Sequence, residues 1–524
     1  MKIRWFRGLF RLFLVVVLGG GVALVLAAPA PFATAKPRSI ALPPGNDAPL
    51  DLLALADPAG TTRVRLSDEN LDAFALRWFA AEAARRSIDV QTYIWHEDRT
   101  GGLIAGALLR AADRGVRVRV LVDDMDARPK TDLLATADLH PEVEVRVWNP
   151  FRFSSGALRT GVEMLWRGGR LNRRMHNKSF VVDHRLAVVG GRNLGDEYFG
   201  ADPQVSFTDL DVALLGAAAN DASDAFDRYW NHPAAVPLTA LRRAQPLAGG
   251  LAALREILDG HRTSPLAKPY LDYVAANPAF AESFAAEPTF LLPAEKVVLW
   301  SDDPAKVEGS GGVDRTVLTP GVFEGLRAAF AAAETSLDIV SPYFVPGDQG
   351  AQGLVDRVRD GVVTRVLTNS LAANDVAAVH GGYSRYRERL LRGGVELFEL
   401  MPKGEVAAEQ SLFGSSHASL HTKAAMVDRR WLFVGSFNLD PRSALTNTEM
   451  GVLIDEPRAA ERLRLRYEAA LADRVWKLGI DPVGITWTRP GAVGGLPRRE
   501  DPEASALRRW TAFLVRRLPV ESLL

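Results

Sequence analysis

One pattern limits this chain more than anything else in it: H-x-K-x4-D-x6-G-[GS]-x-N occurs twice. The first copy places His176, Lys178, Asp183, Gly190, Gly191 and Asn193, and the second, 245 positions later, places His421, Lys423, Asp428, Gly435, Ser436 and Asn438. With ordinary residue usage, six such fixed positions arise by chance in a chain this long with a probability on the order of 10⁻⁵. Two copies therefore mean a duplicated unit.

The residue types point to phosphate chemistry. An imidazole titrates near neutrality and serves as nucleophile or proton shuttle, and a lysine two residues along an extended strand shares its face and adds a fixed positive charge. After each motif, F-V-V with L-A-V-V, and A-M-V with W-L-F-V, read as paired buried strands. They turn at Asp183-His184-Arg185 and at Asp428-Arg429-Arg430. Asp183 and Asp428 are motif members of the catalytic set whose expected role is to cap those turns. Gly190-Gly191 and Gly435-Ser436 are expected to let backbone approach a bound substrate, with Ser436 as a hydroxyl donor on one side only. Asn193 and Asn438 add neutral donors.

The repeat is of a whole domain. Ser87 to Trp95 reads as a strand, Leu103 to Ala112 as a helix and Val116 to Val122 as a second strand, preceded by an amphipathic helix from Ala73 to Arg86. Ser336 to Phe344, Gly353 to Asp360 and Val362 to Leu367 repeat that β-α-β order, and the distances from Ser87 to His176 and from Ser336 to His421 are 89 and 85 residues.

These residues carry a resemblance. The duplicated motif resembles the phospholipase D superfamily, and residues 65–455 are most similar to its bacterial cardiolipin synthase branch, the C type in particular. The supporting text is R-M-H-N-K-S-F-V-V-D, G-G-R-N-L-G-D-E-Y-F, S-P-Y-F-V-P and G-S-F-N-L-D-P-R-S. The resemblance implies an α/β fold of two homologous phospholipase D-like α-β-α sandwich domains packed as a pseudo-dimer, behind an N-terminal hydrophobic helix. It also implies a phosphohistidine intermediate, with His176 as nucleophile and His421 as acid and base. Glu449, in N-T-E-M, fits the family's position for the carboxylate that orients the nucleophilic histidine. Asp209, in T-D-L-D, is the expected first-half equivalent, differing in residue type and spacing.

The pseudo-twofold packing of two such halves brings His176, Lys178, His421 and Lys423 to one site. Phosphodiester exchange needs a nucleophile on one side of phosphorus and a proton donor on the other, and two opposed imidazoles supply both. Lys178, Lys423, Asn193 and Asn438 then stabilise the equatorial oxygens. No metal and no other cofactor is implied, because a lysine beside the histidine repels a cation. His96 and His380 either line the entrance or pack within the fold.

Lys+Arg and Asp+Glu both total 63, so no global basic field attracts nucleic acid. With no cysteine, disulfides and thiolate metal sites are excluded. Lys2, Arg4, Arg7 and Arg11 precede an uncharged stretch from Leu12 to Ala35, which reads as a signal peptide or membrane anchor over residues 1–35. Ala28-Pro29-Ala30 and Ala33-Thr34-Ala35 resemble cleavage sites, so retention and removal both stand. By the positive-inside rule the bulk of the chain lies on the periplasmic side of a bacterial inner membrane, or is exported if the leader is cleaved.

The organisation read from the chain is then a linker over 36–62, a first domain over 63–232, a connecting segment over 233–295, a second domain over 296–456 and a C-terminal helical extension over 457–524. The connecting segment is either a surface linker or a lid. In the tail, Leu507, Trp510, Phe513, Leu514 and Leu518 share one face of a basic amphipathic helix. That helix either lies on an anionic membrane or caps the second domain's core. The leading function is a phosphatidyltransferase that uses phosphatidylglycerol, with phosphatidylethanolamine as a further candidate, to make cardiolipin. Phospholipase D hydrolysis to phosphatidic acid, a nuclease and a non-catalytic lipid-binding scaffold are the alternatives; no nucleic-acid partner is expected.

Overall fold

The motif strands are apolar on both faces, and only a sheet covered on both sides accommodates such runs. The computed structural model describes residues 32, 38–46, 50, 60–153, 157–203, 205–277, 292–309, 321–402, 420–491 and 496–518, and each half of the chain builds such a sheet. The first contains β1 (Thr62–Ser67), β2 (Ser87–Thr92), β3 (Arg117–Asp123), β4 (Val143–Trp148), β5 (Ser179–Val182), β6 (Leu186–Gly190), β7 (Asp211–Gly216), β8 (Ala235–Pro237) and β9 (Leu292–Ala294). The second contains β10 (Lys296–Ser301), β11 (Ser336–Val340), β12 (Val363–Asn369), β13 (Glu396–Leu400), β14 (Ala424–Val427), β15 (Trp431–Gly435), β16 (Met450–Asp455), β17 (Val475–Asp481) and β18 (Gly484–Thr488).

The strand orders are β8-β4-β3-β2-β5-β6-β7-β1-β9 and β10-β16-β15-β14-β11-β12-β13-β17-β18. Read backwards, the second order places β16, β15, β14, β11, β12 and β13 where the first has β7, β6, β5, β2, β3 and β4. In both, three strands beginning with the β-α-β unit run parallel, β2, β3 and β4 in one and β11, β12 and β13 in the other, and the motif strand pairs antiparallel to the first of them. The crossover helices are Arg99–Asp113 and Gly347–Arg359.

Side-chain alternation explains the burial on both faces. In β6, Leu186 and Val188 join the core beneath the outer helices Asn70–Ala83 and Arg99–Asp113, whereas Ala187 and Val189 face a core shared with the other lobe. Val452 and Ile454 of β16 and Val434 of β15 enter that shared core from the second lobe. The helices Ala217–Trp230 and Pro457–Asp473 add Ala218, Ala222, Ala459 and Leu463 to it. The lobes are thus joined by hydrophobic burial, the dominant favourable term in folding.

The duplication extends to buried ion pairs. Arg119 Nε donates to Asp89 Oδ1 at 2.6 Å, and Arg365 Nε to Asp338 Oδ1 at 2.5 Å, from equivalent strands. The second guanidinium contacts also match: Asp227 on one helix, Glu468 on its counterpart.

The motif aspartates hold the hairpins together. Asp183 and His184 have φ of 53° and 58°, and Asp428 and Arg429 have 54° and 57°. With Arg185 N–H donating to Val182 and Arg430 N–H to Val427, these are type I′ turns, in which both central residues adopt positive φ. The carboxylates do something other than cap those turns. Asp183 accepts from the backbone N–H groups of Arg85, Arg86 and Ser87, and Asp428 from those of Glu334, Thr335 and Ser336. Each therefore pins the chain entering the central strand, at the end of the motif strand remote from its histidine. Their place in the catalytic set is corrected to a structural one.

Two segments differ from expectation. Residues 457–524 are more than a helical extension, because β17 and β18 form a hairpin that extends the second sheet beyond β13. The connecting segment belongs to the first lobe: β8 and β9 close its two edges, and the helices Gly250–Thr263 and Lys268–Ala276 pack on its outer helices. The leader lies outside the described residues apart from Phe32, as do 278–291 of the connecting segment and 519–524 of the tail. Among the described residues, no helix is long and apolar enough to cross a membrane.

Candidate active site

Each motif enters the lobe interface as an extended segment just before β5 or β14. There it pairs across the interface. His176 N–H donates to Thr448 O at 2.8 Å and Thr448 N–H returns a bond to Arg174 O at 2.9 Å; His421 N–H donates to Thr208 O at 2.9 Å. Thr448 precedes β16 and Thr208 precedes β7, so the residue after each threonine is delivered to the opposite lobe's histidine.

Those residues are the two predicted carboxylates, and their pairing is crossed. His176 Nδ1 lies 2.9 Å from Glu449 Oε2, and His421 Nδ1 lies 2.5 Å from Asp209 Oδ2. Both carboxylates are fully buried. Glu449 also accepts from Ser436 Oγ at 2.5 Å and Ser443 Oγ at 2.8 Å. With Nδ1 engaged, Nε2 is the nitrogen each ring offers to chemistry.

This geometry replaces the expected role of the glycine and serine positions. A Cβ on Gly191 would lie 2.3 Å from Asp209 Oδ1, one on Gly190 2.6 Å from Leu210 O, and one on Gly435 2.6 Å from Met450 O. The missing side chains make room for a carboxylate and for neighbouring strands, not for substrate. Ser436 is likewise committed to Glu449. The Gly191/Ser436 difference follows from the pairing: the Asp209 carboxylate fills the space on one side, and on the other a hydroxyl holds Glu449.

Lys178 and Lys423 are buried, and among the described residues neither has a carboxylate within ion-pair distance. Lys178 Nζ donates to His176 O at 2.8 Å, and Lys423 Nζ to His421 O. Buried cations without a counter-ion are costly. A phosphodiester bound between them would supply that counter-ion. Asn193 Oδ1 accepts from Ile94 N–H while its Nδ2 donates to the Tyr198 hydroxyl at 2.8 Å, leaving one amide hydrogen uncommitted. Asn438 Oδ1 is buried and has no hydrogen-bond partner among the described residues.

Burial dominates the electrostatics. It pushes His176 down to about 4 and His421 down to about 3, against the pull of Glu449 and Asp209. Each histidine is also pushed down by the other lobe's lysine, as expected of groups facing one centre. The same burial acts on Glu449 and Asp209 in the opposite sense, yet their histidine partners and nearby lysines hold both below their ordinary range. Desolvation drives Lys178 well below its usual value and Lys423 to about 8. A neutral imidazole is the form that attacks phosphorus, and a phosphodiester anion alongside would raise the other imidazole towards the protonated form.

The lysine sets a pH limit. Lys423 carries its charge below about 8 and loses it above. We expect kcat/KM to fall as pH rises through about 8; a profile flat to strongly alkaline pH, measured on the same substrate, would contradict a phosphate-binding role for that ammonium.

Several site residues escaped the sequence reading. The ring of Tyr93 stands edge-on to His176 at 5.3 Å, and Tyr198 and Phe207 pack against His421 at 5.3 and 5.1 Å. Ser443 supports Glu449, and burial raises the nearby Asp440 to about 7. Tyr93 lies at the end of the strand read over Ser87 to Trp95 and Tyr198 in G-G-R-N-L-G-D-E-Y-F, but aromatic residues signal core as strongly as site, and Phe207 stands outside every stretch with a signal of its own. Of the two outlying histidines, His96 is half-exposed and 3.0 Å from Glu197. His380 is buried beside Asp501, where Arg387 bridges Asp501 and Glu399.

Comparison with known proteins agrees with this construction. The family model described as "Cardiolipin synthase, PLD-like domain" matches residues 80–230 and 326–470, one match in each lobe. Cardiolipin synthase C of Escherichia coli (strain K12) is 41% identical over 461 residues, covering 87% of this chain and 95% of that protein. Cardiolipin synthase B of the same strain is 25% identical over 389 residues, covering 74% of this chain and 75% of that one. Among solved structures, the phosphatidylserine synthase of Haemophilus influenzae Rd KW20 shares the fold with a TM-score of 0.51 and 13% identity, covering 80% of this chain and 90% of that one. From the doubled motif, the two matched lobes and the extent of these likenesses, the chain belongs to the cardiolipin synthase, PLD-like domain family, and is a phospholipase D-type phosphatidyltransferase of phospholipid metabolism.

Proposed function

We propose that the enzyme transfers a phosphatidyl group from phosphatidylglycerol to a hydroxyl of a second glycerophospholipid, forming cardiolipin through a phosphohistidine. One observation carries the mechanism: each imidazole is backed at Nδ1 by a carboxylate from the opposite lobe. His176 Nε2 attacks phosphorus. The glycerol oxygen leaves with the bonding pair and takes a proton from His421 Nε2. The acceptor hydroxyl then gives its proton to His421 and attacks the same phosphorus, breaking the N–P bond and restoring His176. Glu449 and Asp209 hold the imidazoles in the tautomers these steps need. Lys178, Lys423, the free amide hydrogen of Asn193 and the side-chain amide of Asn438 surround the oxygens on which charge builds. The basic residues before Leu12 favour a location on the periplasmic face of the inner membrane.

The test is incubation of purified protein with phosphatidylglycerol, with and without phosphatidylethanolamine, followed by lipid analysis. Cardiolipin with released glycerol is the expected product; released ethanolamine would make phosphatidylethanolamine the donor. Phosphatidic acid alone would mean that water, not a lipid alcohol, meets the intermediate.

A further inference from the structure

Two helices are built inside out for a water-soluble surface. In Ala506–Val515 the buried side chain is Ala512, set against Gly381, where even a Cβ would lie 2.8 Å from Ala512 O. The large apolar residues face away: Trp510 is 59% and Phe513 52% exposed, with Leu507, Leu514 and Leu518 beside them. In Ala157–Leu171 the buried residues are Leu171, at its end, and Glu163, whose carboxylate accepts from the N–H groups of Arg152 and Phe153. Leu165, opposite it, is 91% exposed, flanked by Leu158 and Trp166. A helix packing on a core turns such residues inward. The expectation that the tail caps the second lobe's core is therefore corrected.

Both helices are tied to loops of the site. Asn172 and Arg173, which follow the first helix, bond to Arg442 and to the carbonyl of Leu445, just beyond Asn438. Arg508 of the second helix donates to the carbonyls of Leu371 and Asn374. The next residue, Asp375, accepts from the Tyr343 hydroxyl at 2.6 Å and acts electrostatically on Lys423. Arg159, Arg516 and Arg517 are exposed among the apolar residues.

We propose that these two helices seat the enzyme on an anionic bilayer, their apolar faces within the headgroup layer, so that the site mouth opens against lipid. The proposal rests on the phospholipid-substrate reading above. Leucine and tryptophan on one face with arginines at its rim is the composition that binds anionic interfaces, and the arginines favour anionic lipid over a second copy of this chain, whose formal net charge is zero.

The full chain contains no cysteine, so single probes can be placed on it. Phe513→Cys and Leu165→Cys report on the two helices. Val363→Cys, 56% exposed at the start of β12 and so remote from the site, is the control. Labelled with an environment-sensitive dye and reconstituted in phosphatidylglycerol-containing vesicles, the first two are expected to be quenched by spin-labelled lipid several-fold more than the control. Equal quenching at all three positions would overturn the proposal. So would dye protection that depends on protein concentration without lipid, since that means self-association. The variant Trp510→Ser/Phe513→Ser is expected to lose about tenfold in kcat/KM on vesicles while keeping its rate on monomeric short-chain phosphatidylglycerol. Equal losses on both substrates would contradict docking. Differential quenching of the labelled variants, with an unlabelled wild-type enzyme that makes no lipid product, would support docking and refute the transferase; product from the wild-type enzyme without differential quenching of the variants would do the reverse.

Discussion

His176→Ala is expected to lower turnover of phospholipid by at least about 10³-fold, and His421→Ala by a similar factor, with far-UV circular dichroism unchanged. The fold tolerates either change because Glu449 keeps its bonds from Ser436 and Ser443, and Asp209 keeps that from Leu210 N–H. The two variants are expected to separate on a donor with a good leaving group. A phosphatidyl ester of p-nitrophenol needs no proton to depart, so nitrophenol release in a first turnover returns in His421→Ala and stays absent in His176→Ala. Recovery in His176→Ala instead would exchange the two roles; full activity of either variant on phosphatidylglycerol would end the two-histidine mechanism.

Glu449→Gln is the second change with a large expected effect, a loss of about 10² to 10⁴-fold in kcat. The amide is nearly the same shape, but it carries no charge to stabilise an imidazolium, and its single accepting oxygen cannot serve Ser436, Ser443 and Nδ1–H together. It presents an N–H₂ group that favours the tautomer with the proton on Nε2, where the nucleophilic lone pair is needed. The crossed pairing makes the prediction specific. Glu449→Gln in the second lobe must behave like the first-lobe variant His176→Ala, losing nitrophenol release. Asp209→Asn must behave like His421→Ala and retain the burst. The opposite assignment, each carboxylate behaving like the histidine of its own lobe, would show that the bonds at 2.9 and 2.5 Å are not those used in catalysis.

Much of this was legible in the sequence because it depends on local periodicity. The two motif hairpins, the β-α-β units and the equal spacing of their parts follow from apolar runs, turn residues and a repeat. The crossing of Glu449 to His176 was not legible from spacing; only the resemblance assigned that carboxylate to the nucleophilic histidine. Spacing fixes where Glu449 lies relative to Asn438, but not which lobe's ring it meets; that depends on Thr208 and Thr448 pairing across the interface. Gly190, Gly191 and Gly435 misled for a related reason. A glycine marks a close approach without saying what approaches, and here it is a carboxylate or a neighbouring strand. The tail was ambiguous because an apolar stripe looks the same facing core or facing out, and only the contact of Ala512 with Gly381 decides which. The aspartates of the motif were placed at their turns correctly, yet their partners at Arg85–Ser87 and Glu334–Ser336 are some ninety residues distant and invisible to local reading.

The central claim is that two imidazoles from different lobes act on one phosphorus, with His176 carrying it. The direct measurement is to mix His421→Ala with the p-nitrophenyl phosphatidyl donor, quench in alkali, where an N–P bond survives, and digest the protein for mass spectrometry. A phosphatidyl group on the peptide containing His176, at a stoichiometry matching the nitrophenol burst, is the predicted result. A burst without an adduct, or an adduct on any other residue, would contradict it.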